Sequence, residues 1–174
     1  IWQILPLNPL GYGNSPYQPY SSKAMDECYI SLELLEEEGL IKKVPSFRKD
    51  ERTIDYEAVR AYKQSYLREA FSNFKENKAY RTFADQDWVF NYAVFLTQKK
   101  ANGMKCWNEW PKEHKEWILT RDEQVLASYK EDVRYEMFIQ YVLYKQWKQL
   151  KKYVNKKDRI NHPVFDNFKL LLPF

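Results

Sequence analysis

A mainly helical fold with one short strand at its start is what this sequence of 174 residues predicts. Hydrophobic residues make up 44% of the chain and aromatic residues 17%, enough to build a folded core. Apolar side chains recur at helical spacing along most of the sequence, which indicates four or five helices. Only residues 1–7 are rich in β-branched and aromatic types and end near a proline, which is typical of a short buried strand.

Capping residues and apolar stripes predict the positions of the helices along the chain. After the strand, the prolines and glycines of residues 8–22 predict a loop. Ser31 can cap a short helix that Gly39 ends, and Asp55 can cap a longer helix. The apolar spacing predicts three more helices, at about residues 88–100, 112–119 and 121–154, the last with a break allowed.

The predicted strand has no partner in this sequence. A single strand cannot complete its own hydrogen-bond ladder, so its partners lie outside the chain or residues 1–7 are not a strand here. The chain also opens inside an apolar run without a methionine. We therefore interpret it as an internal fragment of a longer protein.

Charge and cysteine content narrow the functional classes. The 28 basic and 24 acidic residues are interleaved and give a net charge of +4. This favours solvated helix faces over a nucleic-acid surface. Two cysteines do not form a disulfide framework, and the longest apolar runs are too short to cross a bilayer. We expect a cytoplasmic protein, or a plastid one if the source is a plant, with no nucleic-acid or membrane partner and an oligomeric state that the sequence leaves unknown.

The loop GYGNSPYQPYSS, residues 11–22, is the candidate binding surface. It holds three tyrosines and no charge, in a chain that is 30% charged. Phenol rings can stack on the apolar faces of sugars, and Ser, Asn and Gln can bond to sugar hydroxyls. An anionic ligand would require Lys or Arg, and the G-x-G pattern is too incomplete to predict a phosphate cradle. A purely structural loop is the alternative, but the absence of charge favours a neutral oligosaccharide.

No other polar group predicts a reactive centre. Glycoside chemistry needs two carboxyl groups at a set separation. The carboxylates considered for it follow no apolar strand: Glu36, Glu37, Glu38, Asp85, Asp87, Glu131 and Asp132. We interpret Asp85 and Asp87 as helix N-caps. His114 and His162 lack a second ligand at metal spacing, so we expect no metal site. Cys28 is interpreted as a buried thiol.

A pair of tryptophans, Trp107 and Trp110, has two interpretations. The rings could form a second aromatic platform for a sugar. A pair so close to a proline more often pins the junction between a helix and a loop. We predict the second role.

Several segments resemble one enzyme family. The run Trp2–Leu7 (WQILPL) followed by Gly11–Gln18 (GYGNSPYQ) resembles the 4-α-glucanotransferases called amylomaltases or disproportionating enzymes. The resemblance continues to about residue 158 through five further segments: Leu34–Leu40, Asp55-Tyr56, Asn91–Phe95, Trp107–Pro111 and Gln146–Lys148.

The resemblance implies a fold and an activity. The family folds as a (β/α)₈ TIM barrel with mostly helical insertions, so residues 1–160 would be a partial barrel domain with one or two strands and four or five helices, and residues 161–174 a divergent tail. Its members transfer α-1,4-glucan segments between maltooligosaccharides with retention and without a cofactor, through a carboxylate nucleophile and a second acid. The implied partner is therefore an α-1,4-glucan.

The resemblance also implies site residues. By this match Ser15 and Tyr17 would contact sugar in the main cleft, and Tyr12 would offer a ring to an accessory part of the glucan. Asn14 stands where many members have Asp and keeps a polar group there.

Two segments depart from the family pattern. Met25–Cys28 occupies the place of a Gly-Asn-Pro run, a change that the fold should survive. Residues 159–165 do not match the family's next strand. The catalytic acids of the family all lie beyond this chain, so we expect no catalytic residue in it and no activity from it alone. The alternative outside the family is a non-catalytic helical binding or interaction module.

Overall fold

The structure, a computed structural model, describes residues 4–15, 17–44 and 53–157. Within these residues it is mainly helical. The α-helices are α1 (Leu32–Glu37), α2 (Tyr56–Asn73), α3 (Lys78–Ala84), α4 (Asp87–Ala101), α5 (Lys112–Thr120) and α6 (Lys130–Lys157). Three short 3₁₀ helices lie at Tyr12–Asn14, Glu27–Tyr29 and Trp107–Glu109. None of the helices in the described ranges is long and apolar enough to cross a bilayer.

The predicted strand is wrong for its described part. Residues 4–7 are irregular, and no strand occurs anywhere in the described ranges; residues 1–3 lie outside them. The physical reason is that a strand needs a neighbour to take up its backbone groups. Here the carbonyl of Leu7 accepts instead from the backbone N–H of Asp26, at 2.8 Å. The mainly helical class is confirmed, whereas the one or two strands are not.

The helix ends predicted from capping residues are confirmed. The hydroxyl of Ser31 accepts a hydrogen bond from the N–H of Leu34 at 3.3 Å and begins α1. The carboxylate of Asp55 accepts from the N–H of Ala58 at 2.9 Å and begins α2. Gly39, with a φ of 72°, follows α1 in the left-handed region that glycine adopts without strain. Local side-chain chemistry therefore sets these ends.

The predicted start of the longest helix is wrong. It begins at Lys130 rather than near residue 121. Arg121 takes a left-handed φ of 54° and closes α5, and residues 123–129 form turns. The apolar spacing predicted a start that is too early because Leu126, in the turns, and Val133, in the helix, are both buried. The spacing therefore continues across the turns.

Helix α3 was not predicted. The side chain of Asn77 caps it by accepting from the N–H of Tyr80 at 2.9 Å. A helix of seven residues is too short for its apolar stripe to stand out from its surroundings. Asp85 ends α3 and Asp87 lies in the first turn of α4, so neither is the N-cap that the sequence predicted.

The chain divides into two compact units. Within the described residues, the first comprises those up to residue 74 together with residues 142–157, and the second comprises residues 75–141. The buried apolar residues of the first unit include Ala24, Ile30, Leu32, Leu35, Leu67, Ala70, Val142 and Leu143. One core cluster of the second unit consists of Ala93, Val94, Trp117, Leu126 and Val133. Helix α6 therefore contributes residues to both units.

Candidate functional site

Residues 9–20 form a closed loop in the first unit. The backbone N–H of Tyr20 donates to the carbonyl of Pro9 at 3.4 Å and so joins the two ends. Close to these ends, a Cβ placed on Gly11 would clash with the carbonyl oxygen of Gln18. Such a contact is far inside van der Waals distance, so a glycine is required at position 11 for the loop to close.

The tip of the loop is a 3₁₀ turn over Tyr12–Asn14. Gly13 and Asn14 take φ values of 69° and 54° there. Glycine and asparagine are the residues that adopt this left-handed conformation most readily. The N–H of Asn14 donates to the carbonyl of Gly11 at 3.2 Å and fixes the turn.

The described site residues lie on one uncharged surface segment. Tyr17 is 75% exposed, Asn14 is exposed and Ser15 is half-buried. The hydroxyl oxygen of Ser15 accepts from the N–H of Tyr17 at 3.3 Å, and its own hydrogen is left to donate. The backbone of Tyr12 belongs to the turn, whereas its side chain lies outside the described part of the chain.

A buried carboxylate lies behind the loop. Asp26 is 2% exposed and accepts hydrogen bonds from the N–H of Leu10 at 3.1 Å and from that of Cys28 at 2.9 Å. The guanidinium of Arg60 on α2 binds both of its oxygens, at 3.1 Å and 2.9 Å. This two-bond geometry fixes the orientation of the carboxylate as well as its charge.

These partners keep Asp26 ionised. Burial raises the pKa of Asp26, but the hydrogen bonds from Arg60, Cys28 and Leu10 together lower it further than burial raises it, so the pKa lies below its usual value. Burial likewise lowers the pKa of Arg60. The hydrogen bonds to Asp26 and the charge of its carboxylate raise that pKa by more, so it lies above its usual value. An ionised carboxylate with both oxygens bonded inside the protein is not available as a nucleophile or a proton donor.

The segment after Asp26 is tied to two helices of the first unit. The ammonium group of Lys63 on α2 donates to the carbonyls of Cys28 and Ile30, each at 2.6 Å. The side-chain amide of Gln146 on α6 accepts from the N–H of Ser31 at 2.8 Å and donates to its carbonyl at 3.0 Å. Side chains of two helices thereby satisfy partly buried backbone groups between the 3₁₀ helix Glu27–Tyr29 and the start of α1.

The roles of Asp26 and Arg60 were not predicted from the sequence. Met25–Cys28 was interpreted only as a departure from the family pattern. One signal was present: Arg60 and Lys63 lie three residues apart and so share a face of α2. The same spacing is common on solvated helix faces, so this signal alone does not predict the buried acceptors.

The two tryptophans near residue 110 have separate roles. Trp110 is 3% exposed, its indole N–H donates to the carbonyl of Lys105 at 3.1 Å, and its ring centroid lies 5.6 Å from that of Phe95. The junction role is therefore confirmed for Trp110. Trp107 is 56% exposed, so its ring is not buried at the junction as that of Trp110 is.

Three of the other polar candidates contact neighbouring side chains, and His162 lies outside the described residues. Glu38 pairs with Lys145 at 2.7 Å, and Glu131 pairs with Arg134 at 3.1 Å. His114 Nδ1 lies 2.8 Å from the side-chain nitrogen of Asn102. No group of three or more His, Cys, Asp or Glu residues in the described ranges is arranged to hold a metal ion.

An apolar groove of about 570 Å³ opens elsewhere in the first unit. Its lining residues are Ile4, Leu5, Leu7, Met25, Tyr29, Ser31, Leu34, Leu143, Gln146, Trp147 and Leu150. Ser31 and Gln146 are hydrogen-bonded to each other, and neither Ser15 nor Tyr17 lines the groove. The groove therefore suits apolar side chains better than a sugar, which needs polar partners for its hydroxyls.

The two thiols will differ in reactivity. Burial, followed by the charge of Asp26, raises the pKa of Cys28 to about 12, whereas Cys106 is exposed. At pH 8 the thiolate fraction of Cys28 is then on the order of 10⁻⁴, and the thiolate is the reactive form. We expect iodoacetamide to add one label to the native chain, located by peptide mass spectrometry on Cys106. As controls, the chain unfolded in urea should take two labels, and the native Cys106→Ser variant should take none. Labelling of Cys28 in the native chain as early as that of Cys106 would contradict this account.

Comparison with known proteins identifies the class of enzyme. Residues 1–161 match the family described as 4-alpha-glucanotransferase. The chain belongs to this family, which confirms the resemblance found in the sequence. Membership in an enzyme family does not favour the alternative of a non-catalytic helical module.

Particular relatives support the same assignment. The chain is 35% identical to the 4-alpha-glucanotransferase of Synechocystis sp., covering 90% of this chain and 33% of the relative. It is 36% identical to that of Thermus thermophilus, covering 86% and 31%. The structure is similar to that of the amylomaltase from Streptococcus agalactiae in complex with acarbose, with a TM-score of 0.75, 37% identity, and coverage of 90% of this chain and 34% of the other. The chain thus spans about a third of the length of the curated relatives that it matches.

Proposed function

We propose that this chain is the glucan-contacting front part of a 4-α-glucanotransferase that moves α-1,4-glucan segments between maltooligosaccharides. The observation that carries the proposal is the closed, uncharged loop at residues 9–20, with Tyr17 75% exposed on it. Family membership and the likeness to an amylomaltase in complex with acarbose support it.

The loop offers the two kinds of contact that a neutral sugar requires. The exposed ring of Tyr17 can stack on the apolar face of a glucose unit. The hydroxyl hydrogen of Ser15 and the side-chain amide of Asn14 can bond to sugar hydroxyls. Tyr12 would serve an accessory part of the glucan. The loop has no cation, so an anionic ligand gains nothing from it.

The reacting groups would come from the rest of the protein. A retaining transfer needs a carboxylate nucleophile and a second carboxylic acid about 5–5.5 Å away. Asp26, the carboxylate behind the loop, is buried and bonded to Arg60 and so supplies neither. We propose that residues 1–160 are part of a (β/α)₈ catalytic domain completed outside this chain and that residues 161–174 form a divergent tail. We further propose a cytoplasmic location, because two cysteines do not form a disulfide framework.

Maltoheptaose binding tests the role of the loop. We expect saturable quenching of the intrinsic fluorescence by the sugar, and an affinity that falls about fivefold in Tyr17→Ala, since one stacked ring contributes on the order of 1 kcal/mol. Tyr153→Ala is the matched control, because Tyr153 is also exposed, at 61%, but lies on α6. Equal affinities for the two variants, or no saturable response of the unaltered chain, would count against the proposal.

A further inference from the structure

We propose that the ion pair between Asp26 and Arg60 positions the loop of residues 9–20 for glucan binding. The inference rests on the proposed function for its sugar-binding consequence. Its structural part concerns the loop alone and can be tested without any sugar.

Asp26 holds the segment that enters the loop. Its own backbone N–H donates to the carbonyl of Leu7 at 2.8 Å, and its side chain accepts from the N–H of Leu10 at 3.1 Å. Asp26 thus bonds the chain both before Asn8, at Leu7, and after it, at Leu10. The first residues of the loop cannot shift without breaking one of these bonds.

The segment that leaves the loop is tied to the same place. The side-chain amide of Asn8 donates to the carbonyl of Ala24 at 2.9 Å, and the hydroxyl of Ser21 accepts from the N–H of Ala24 at 3.1 Å. Ala24 is fully buried. The segments that enter and leave the loop therefore meet at Ala24, two residues before Asp26. A displacement of Asp26 would move both segments.

Arg60 connects this junction to a regular element. It lies on α2, a helix of 18 residues, and its side chain is 25% exposed, whereas that of Asp26 is 2% exposed. The bonds within the loop, such as that from Tyr17 to Ser15, set the local shape of the loop. The pair with Arg60 connects α2 to the residue that bonds both Leu7 and Leu10, whereas Lys63 on the same helix bonds further along the chain, at Cys28 and Ile30. The pair therefore sets where the shape of the loop is presented.

Hydrogen exchange of the loop amides tests the structural part. We expect Asp26→Asn to raise exchange at Leu10 and Tyr20 by about tenfold, because the amide cannot replace the charged, two-bond pairing with Arg60. Glu27→Gln is the matched control: Glu27 is the adjacent acid but lies 3.7 Å from Arg60, so its loss should leave loop exchange within about twofold. Leu67→Ala, in the core of α2, controls for a general loss of stability.

A second variant covers the case in which Asp26→Asn does not fold. Arg60→Lys keeps the positive charge but cannot bond both carboxylate oxygens in the same geometry. We expect it to raise loop exchange as well, by a smaller factor. If either variant folds and its loop exchanges like that of the unaltered chain, the positioning role is overturned.

Maltoheptaose affinity tests the consequence for binding. We expect Asp26→Asn to weaken binding about tenfold and Glu27→Gln to leave it unchanged. Added to Tyr17→Ala, Asp26→Asn should cause little further loss, because the ring that it positions is already absent; a merely structural effect would add in full. Faster loop exchange with unchanged affinity would overturn the inference, whereas no binding by the unaltered chain would overturn the proposed function and leave the exchange result to decide on the loop.

Discussion

Replacement of Trp117 by alanine is expected to lower the free energy of unfolding by about 3–5 kcal/mol, the range for removing a large aromatic side chain from a core. Trp117 is 3% exposed and belongs to the core cluster of the second unit with Ala93, Val94, Leu126 and Val133. Its ring also lies 5.8 Å from that of Phe90 and 4.8 Å from the guanidinium carbon of Arg121. The loss combines the missing apolar burial with the cavity left behind.

Urea denaturation followed by circular dichroism measures this effect. Trp107→Ala is the matched control, because Trp107 lies in the same unit but is 56% exposed, and it should change stability by less than about 1 kcal/mol. Trp117→Phe should cost less than Trp117→Ala, since the buried indole N–H of Trp117 has no hydrogen-bond partner among the described residues to lose. Similar losses at Trp107 and Trp117 would show that this core is not packed as described.

Replacement of Arg60 by methionine is expected to cost about 3–5 kcal/mol at pH 7, because it leaves the carboxylate of Asp26 buried without its counter-charge. Arg68→Met is the control on the same helix, since Arg68 is exposed and its loss should change stability by less than about 1 kcal/mol. Urea denaturation of both variants beside the unaltered chain gives the comparison.

The cost of Arg60→Met should depend on pH in a defined direction. In the unaltered chain the pKa of Asp26 lies below 3.8, so the pair contributes its full stability above that value and loses it as the pH falls through the lower, folded-state pKa. In the variant, burial dominates and raises the pKa of Asp26, so protonation relieves the unpaired charge at a higher pH. The gap between the two proteins should therefore be largest near neutral pH. It should begin to shrink as the pH falls through the raised pKa of Asp26 in the variant, above 3.8, and shrink further as the pair of the unaltered chain is protonated. A gap that stays constant from pH 7 to pH 3.5 would contradict the assigned role of the pair.

Local chemistry made much of the helical fold predictable. Ser31 and Asp55 were recognised as caps because a hydroxyl or carboxylate placed before an apolar run has one evident task. The start of α6 could not be read in this way, since the buried side chains of the preceding turns follow the same spacing as those of the helix. A strand at residues 4–7 depends on a neighbour, and no local signal records whether that neighbour is present.

For the candidate site too, local sequence predicted one part, whereas the part that depends on long-range packing was not predicted. The composition of residues 11–22 alone indicated an uncharged, aromatic surface, and the exposure of Tyr17 agrees with such a surface. The support behind it was not predictable, because Asp26 and Arg60 are 34 residues apart and meet only through the packing of α2. The roles of Asn14, Ser15 and Tyr17 toward sugar remain predictions.

The division of the first unit between the two ends of the sequence affects the order in which the protein can fold during synthesis. The hydrogen bonds between Ser31 and Gln146 join positions 115 residues apart, whereas residues 75–141 form an uninterrupted unit. At ribosomal speeds of about 5–20 residues per second, residues 1–74 emerge roughly 3 to 14 s before residue 142. The loop segment must therefore wait through the synthesis of a whole neighbouring unit before its last helical support leaves the ribosome, an interval in which a chaperone could bind it.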